Sequence, residues 1–336
     1  MQGYCESLDQ IANLEFKRAG TRQGGTALRY RAARAAQGDE ALCGRVARAL
    51  GEALAPGGGS VVLVTGTGNP AWLPHGETDG PSGVAVLART FGALGLRSCV
   101  LAEDIYADAV GRSLLAAGAP LLDEAGWSER GNAALLLGYP AGAAAGHAFA
   151  ESFFDRHADA RAVIFVEKPG PNARGVFHNS SGKPKDPDLV AHAQLLAAAA
   201  RRRGIVTVGV GDGGNEIGFG RAAAALGAHA PYGSGCGCPC GGGILDATEV
   251  DHLLPASVSN WGAYAIAAAL CLHAGRHDAM PGWREVEASI AAPIAAGAYD
   301  GYTGLALPSV DGVSPEANRA VYSLMLEVLR MARTQA

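Results

Sequence analysis

Asp212, Asn215 and Glu216 sit among six glycines in the stretch GVGDGGNEIGFG, residues 209–220. Carboxylates can take up and release protons or hold a hard cation, and an amide can orient a charged ligand beside them. Glycine loses more backbone freedom on folding than any other residue, so the run costs stability. A tight turn, or a ligand pressed against bare backbone, must offset that cost. Asp212 and Glu216 are four apart, and on a helix that starts early they would share a face and could bind a divalent cation such as Mg²⁺ or Mn²⁺. The plainer alternative makes Asp212 a helix N-cap with Glu216 exposed in the first turn. Capping alone does not call for so many glycines.

Two other segments carry related groups. Residues 66–81 offer backbone N–H groups at Gly66 and Gly68, then Glu77, Thr78, Asp79 and Gly80. The segment ends at a helix start, where Gly80, Ser82 and Gly83 would present N–H groups to an anion, unless Asp79 or Ser82 simply caps that helix. Glu167 and Lys168 close a strongly apolar run, either as functional groups or as a surface ion pair of little energetic weight. Asn172, Arg174, His178 and Asn179 follow in a stretch too polar for a core, and any of them could hold a carboxylate.

These groups act together only if the chain brings them together. SVVLVT (60–65), AVIFVE (162–167) and IVTVGV (205–210) are short β-branched runs, the pattern of strands buried on both faces. Further strands are expected over 97–102, 133–137 and 253–257, and helices over 83–94, 105–117, 143–155, 221–226, 260–273, 285–296 and 315–331. Asp39 reads as the cap of a helix carrying Leu42, Val46, Leu50 and Leu54 and stopped by Pro56-Gly57, and Asp186-Pro187 as the opening of a helix that runs to Gly204. Alternation of this kind predicts an α/β fold, a three-layer α/β/α sandwich with a mostly parallel sheet. Ligands of such sheets bind beyond the carboxyl ends of the strands. The three polar segments follow three strand ends, so they face one crevice if those strands are neighbours. Residues 1–38, polar and with Gly24-Gly25, are expected to form an N-terminal arm or cap beside a single domain over 39–333.

At 336 residues, 49% of them hydrophobic and 18% charged, the chain can bury a large core and is not a disordered one. A net charge of −5, with no basic run beyond Arg201–Arg203, gives no footprint for nucleic acid. The first residues lack the apolar segment of a secretory signal, and 133–154 is interrupted by Pro140, His147 and Glu151, so no membrane span is expected. Seven cysteines in a chain of this length fit reduced thiols and a cytoplasmic location. Cys236, Cys238 and Cys240 lack the C-x₂-C spacing of common zinc knuckles and have no matching Cys/His pair nearby, which reads as a loop of ordinary thiols. The sequence VSNWG at 258–262 starts a helix capped by Ser259 or Asn260, with Trp261 for packing. The glycine run lacks the downstream acid of a dinucleotide site and a Walker lysine.

Taken together, ETDGPSG at 77–83, EKPG at 167–170, GDGGNEIGFG at 211–220 and VSNWGAYA at 258–265 resemble the D-glutamate cyclase family, specifically its cyclase-type C-terminal domain in stand-alone form. The resemblance covers about residues 40–330 in order. It implies conversion of D-glutamate to 5-oxo-D-proline with loss of water and without ATP, a lyase reaction on an amino diacid. It transfers no established catalytic residues, so roles follow from chemistry. Lactam formation needs a base for the ammonium, stabilisation of the attacked carboxylate, and an acid for the departing oxygen. Asp212 or Glu216 is expected as base and Glu77 or Asp79 as acid. Lys168, the Gly213-Gly214 amides or a cation held by Asp212 and Glu216 would stabilise the oxyanion. Gly66, Thr78, Gly80, Ser82, Gly83, Asn172, Asn179, Asn215 and Asn260 complete the expected substrate contacts, and a homo-oligomer is compatible with the sequence. Two other readings use the same groups: a Mg²⁺-dependent hydrolase or transferase acting on a phosphorylated metabolite, and a non-catalytic amino-acid-binding protein.

Overall fold

The computed structural model describes residues 1–16, 25–55, 58–227 and 233–334. Gly24 and the expected helix stop at Pro56-Gly57 lie outside the described residues. In chain order the elements are α1 (Gln2–Ala12), α2 (Gly25–Gln37), α3 (Leu42–Leu54), β1 (Ser60–Val64), α4 (Pro81–Ala93), β2 (Arg97–Ala102), α5 (Asp104–Ala116), α6 (Glu124–Glu129) and β3 (Ala134–Gly138). They continue with α7 (Ala143–Arg156), β4 (Ala160–Val166), α8 (Ala193–Arg202), β5 (Val206–Gly211), α9 (Ala223–Leu226), β6 (His252–Pro255), α10 (Ser259–His273), α11 (Trp283–Ala291) and α12 (Pro315–Arg333).

The β-branched and leucine-rich runs pair as one sheet in the order β3-β2-β1-β4-β5-β6, parallel at every pairing. All of β1 is buried, and β4 is buried except at Arg161, because helices flank the sheet in a three-layer α/β/α sandwich. Helix α10 is buried from Ser259 to Leu272. Its alanines and Gly262 let α1, α3, α4 and α12 close around it, as expected for a helix apolar on every side.

Three local expectations are corrected. Residues 1–16 and 25–38, expected as an arm or irregular cap, carry α1 and α2, and Cys5, Leu8 and Ala12 join the core. Asp39 does not cap α3. It is exposed and pairs with Arg34, while buried Asp9 of α1 accepts from Leu42 N at 2.6 Å and Cys43 N at 3.0 Å. Asp186 caps only a 3₁₀ turn at Pro187–Leu189. The chain then extends through Val190, and Ala191 N donates to Glu103 Oε1 at 3.0 Å, so α8 starts afresh at Ala193.

Candidate active site

Strand β1 lies against β4, and β5 against the far side of β4. The chain winds outward from β1 through β2 to β3, then crosses back to β4 and winds the other way. Such a reversal opens a crevice at the carboxyl ends of the two central strands. The segments after β1, β4 and β5 therefore stand side by side at one end of the sheet.

The segment after β1 is locked by reciprocal capping. Asp79 accepts from Gly80 N at 3.0 Å and reaches across to the first N–H groups of α10, accepting from Ser259 N at 2.9 Å and Asn260 N at 2.8 Å. Asn260 answers by accepting from Gly80 N at 3.0 Å and Gly83 N at 2.6 Å at the start of α4. Its Nδ2 donates to Thr78 O at 3.0 Å. Gly80 is required: its φ is +98°, and a Cβ there would meet Thr65 Oγ1 at 2.5 Å and Glu167 Cβ at 3.1 Å. Thr78 Oγ1 donates to Ser309 O at 2.7 Å, and Ser82 Oγ joins Tyr264 and Ser289 between helices. Two of the three N–H groups expected to receive a substrate anion, those of Gly80 and Gly83, are thus given to Asn260.

At the end of β4 the neighbouring Glu167 and Lys168 diverge. Glu167 sits in the left-handed region at φ 48°, a conformation shared only with Asp311 among the described non-glycine residues, and its Oε2 accepts from Ser259 Oγ at 2.5 Å. Strain of this sort concentrates at functional positions. Lys168 points the other way and is fully buried. Its Nζ lies 2.8 Å from Gly66 O and 2.5 and 2.6 Å from the two oxygens of Glu103, so it pairs with a residue after β2 rather than with its neighbour.

The glycine run after β5 is a loop, not a helix start. Glu216 folds back to accept from Gly214 N at 2.8 Å and Gly213 N at 3.2 Å, so these amides already hold a carboxylate. The return of the loop explains part of the glycine count. A Cβ on Gly209 would lie 2.2 Å from Ile217 O. Ile217 N in turn donates to Lys168 O at 2.8 Å, and Gly170 N to Asn215 O at 2.9 Å, which stitches the β4 and β5 loops together. Asn215 Nδ2 donates to His178 O at 3.3 Å, while its buried Oδ1 has no hydrogen-bond partner among the described residues. Asn179 organises a turn with Ser181 and Lys183, and Asn172 organises its own loop and reaches Gly243 O at 2.7 Å.

Burial and like charge dominate the electrostatics. Desolvation first, then Asp79, Asp212 and Glu216, push the Glu77 carboxyl up to about 8 against an opposing pull from Lys185. Glu167 is raised well above its usual range by burial and by the charges of Glu216, Asp212, Asp79 and Glu77. Burial lowers both Lys168 and Lys185, against Glu103 and Glu77 respectively. Lys185 Nζ contacts Thr67 Oγ1 at 2.5 Å and Gly68 O at 2.9 Å. A cavity of about 550 Å³ opens beside it, lined also by Glu103, Tyr106, Tyr139 and prolines 70, 74, 140 and 184. Asp79, Glu167 and Asp212 each bring a carboxylate oxygen within 4.8 Å of the others, an all-oxygen set of the kind that suits a hard divalent cation. Asp212 and Glu216, the pair expected to hold it, do not share a helix face.

Of the expected residues, the crevice gathers Glu77, Asp79, Asp212, Glu216 and Asn215. Thr78, Ser82, Gly83 and Asn260 build the helix junction beneath it, and Asn172 and Asn179 shape the outer loop. Sequence reasoning gave Glu103 and Lys185 no place in the site and left Glu167 between a functional group and a surface ion pair. Glu167 was visible in EKPG, as an acid ending a buried strand, whereas nothing near Lys185 or Glu103 marks them.

Comparison with known proteins agrees with the motifs. The family model for D-glutamate cyclase-like, C-terminal, matches residues 18–326. The human mitochondrial D-glutamate cyclase is 32% identical over an alignment of 226 positions, which covers 62% of this chain and 32% of that protein's length. With the family model spanning nearly all of the sheet and its loops, the chain belongs to the D-glutamate cyclase-like C-terminal family.

Proposed function

We propose that the crevice between the ends of β1, β4 and β5 converts D-glutamate to 5-oxo-D-proline and water. The observation that carries this reading is the mutual proximity of Glu77, Glu167, Asp212 and Glu216, whose charges act on one another, with Lys185 beside Glu77 and on the wall of the neighbouring cavity. Like charges so close cannot all ionise, which divides proton-holding from proton-accepting groups. Glu77, protonated near neutrality, serves as the acid. Asp212 serves as the base.

In the reaction the amine nitrogen forms a bond to the side-chain carboxyl carbon, and a carbon–oxygen bond breaks. The ammonium loses two protons overall, and the departing oxygen gains two as water. Asp212 takes the proton that frees the amine lone pair, and Glu77 protonates the leaving oxygen. Lys185 offsets the charge of the attacked carboxylate, since Lys168 is committed to Glu103. The unpaired Asn215 Oδ1 suits the substrate's ammonium as an acceptor. A hard cation, if one binds, would be held by Glu167 and Asp212 with Asp79, and would supply Lewis-acid polarisation. Incubation with D- or L-glutamate, with and without chelator, followed by chiral chromatography tests the reading. Product of D configuration supports it, and recovery of both enantiomers unchanged in every arm rejects it.

A further inference from the structure

The thiol loop differs from its expected character because a ligand arrives from a distant part of the chain. His178, on the loop after β4, places Nε2 3.3 Å from Cys238 Sγ and 3.8 Å from Cys240 Sγ. Cys236 Sγ lies 3.3 Å from both Cys238 Sγ and Cys240 Sγ. One ligand atom from each of His178, Cys236, Cys238 and Cys240 falls within 4.8 Å of every other. A tetrahedral zinc ion, with bonds of about 2.3 Å to sulfur and about 2.0 Å to nitrogen, spaces its sulfurs about 3.8 Å apart and its nitrogen about 3.5 Å from each sulfur. The two nitrogen–sulfur separations lie within about 0.3 Å of that value, and the two sulfur–sulfur separations are about 0.5 Å shorter than theirs. We propose that these four residues form a closed Cys₃His site for Zn²⁺, outside the catalytic crevice.

The surroundings are those of a metal ligand set. His178 Nδ1 lies 3.1 Å from Val176 O and donates its proton there, which leaves the Nε2 lone pair facing the sulfurs. Cys240 Sγ receives N–H groups from Asn172 Nδ2 and Gly242 N, each at 3.4 Å, the pattern that holds a thiolate ligand. Gly235, Gly237 and Gly241 alternate with the cysteines in open space, so the backbone is free to turn all three sulfurs inward despite their spacing of two. Four protein ligands leave no open position, so the site is structural rather than catalytic. It ties the 236–240 loop to His178, whose carbonyl receives Asn215 of the glycine loop, and so braces one wall of the crevice.

The full chain, expressed without a metal-binding tag and dialysed, is assayed for metal by elemental analysis. About one zinc per chain is expected, and cobalt exchange should give the thiolate-to-metal charge-transfer and tetrahedral ligand-field bands of a sulfur-rich site. His178→Ala and Cys238→Ser should each retain at least tenfold less zinc after dialysis against chelator, while Cys99→Ser, buried in β2, retains the wild-type amount. Metal-free wild-type protein whose three loop thiols alkylate freely, or are found as a disulfide by mass spectrometry, would overturn the site. So would zinc retained equally by His178→Ala and Cys99→Ser. The cobalt spectrum of the wild-type chain decides the question even where a variant fails to fold.

Discussion

At the scale of single residues, burial decides which acids hold protons. Glu77 has a folded pKa of about 8 against an ordinary 4.5, so the native state binds its proton more tightly than the unfolded chain does. Its contribution to stability is complete below the unfolded value and is lost as pH rises through the folded one. Glu77→Gln removes that loss. The variant should match wild type near pH 4 and be more stable by on the order of 1–3 kcal/mol near pH 9, as thermal melts across pH would measure. Lys168 and Glu103 give the opposite case. Glu103→Gln leaves a fully buried ammonium without its counter-charge and should cost about 3–5 kcal/mol in urea denaturation. Glu103 was illegible in the sequence because its partner lies 65 positions away, and only strand order brings them together. The same holds for the thiol loop, whose fourth ligand is a histidine 58 residues upstream of Cys236.

At the scale of elements, the site depends on two helices that start against each other. Asp79, just before α4, accepts from the first N–H groups of α10, and Asn260, in the first turn of α10, accepts from the N–H groups at the start of α4. Asp79→Ala should lower stability by about 1–3 kcal/mol, and Asn260→Ala by a similar amount. The double variant should lose less than the sum of the two, because each removes part of one network. A double-mutant cycle in denaturant measures the difference, and strict additivity would refute the exchange. Most strands and the helices between them were legible because contiguous β-branched runs and helical apolar stripes are local signals. Partner choice was not. An aspartate before a helix looks the same whether it caps that helix or one packed beside it. The Asp186-Pro187 expectation failed for a related reason: the local cap is present, but a hydrogen bond to Glu103 ends the turn three residues on.

At the scale of the whole molecule, the sheet order turns three separated motifs into neighbours. That convergence was foreseeable from strand runs each ending in a polar segment, while the order β3-β2-β1-β4-β5-β6 required the structure. The same topology serves many chemistries, so the fold alone does not name the reaction; the acids at the strand ends and the family match carry it. Among the described residues no helix is long and apolar enough to cross a membrane. Helices α1 and α2 belong to the same packed body as the sheet: Gln37 of α2 accepts from Leu253 N at 2.8 Å and donates to Leu253 O at 2.7 Å on β6. The most direct test compares D-glutamate turnover by wild type, Glu77→Gln and Asp212→Asn, each first shown to melt cooperatively. Formation of 5-oxo-D-proline by wild type, with kcat reduced about 100-fold or more in both variants, is the expected result. Folded variants that keep wild-type turnover would contradict the assignment of acid and base to this crevice.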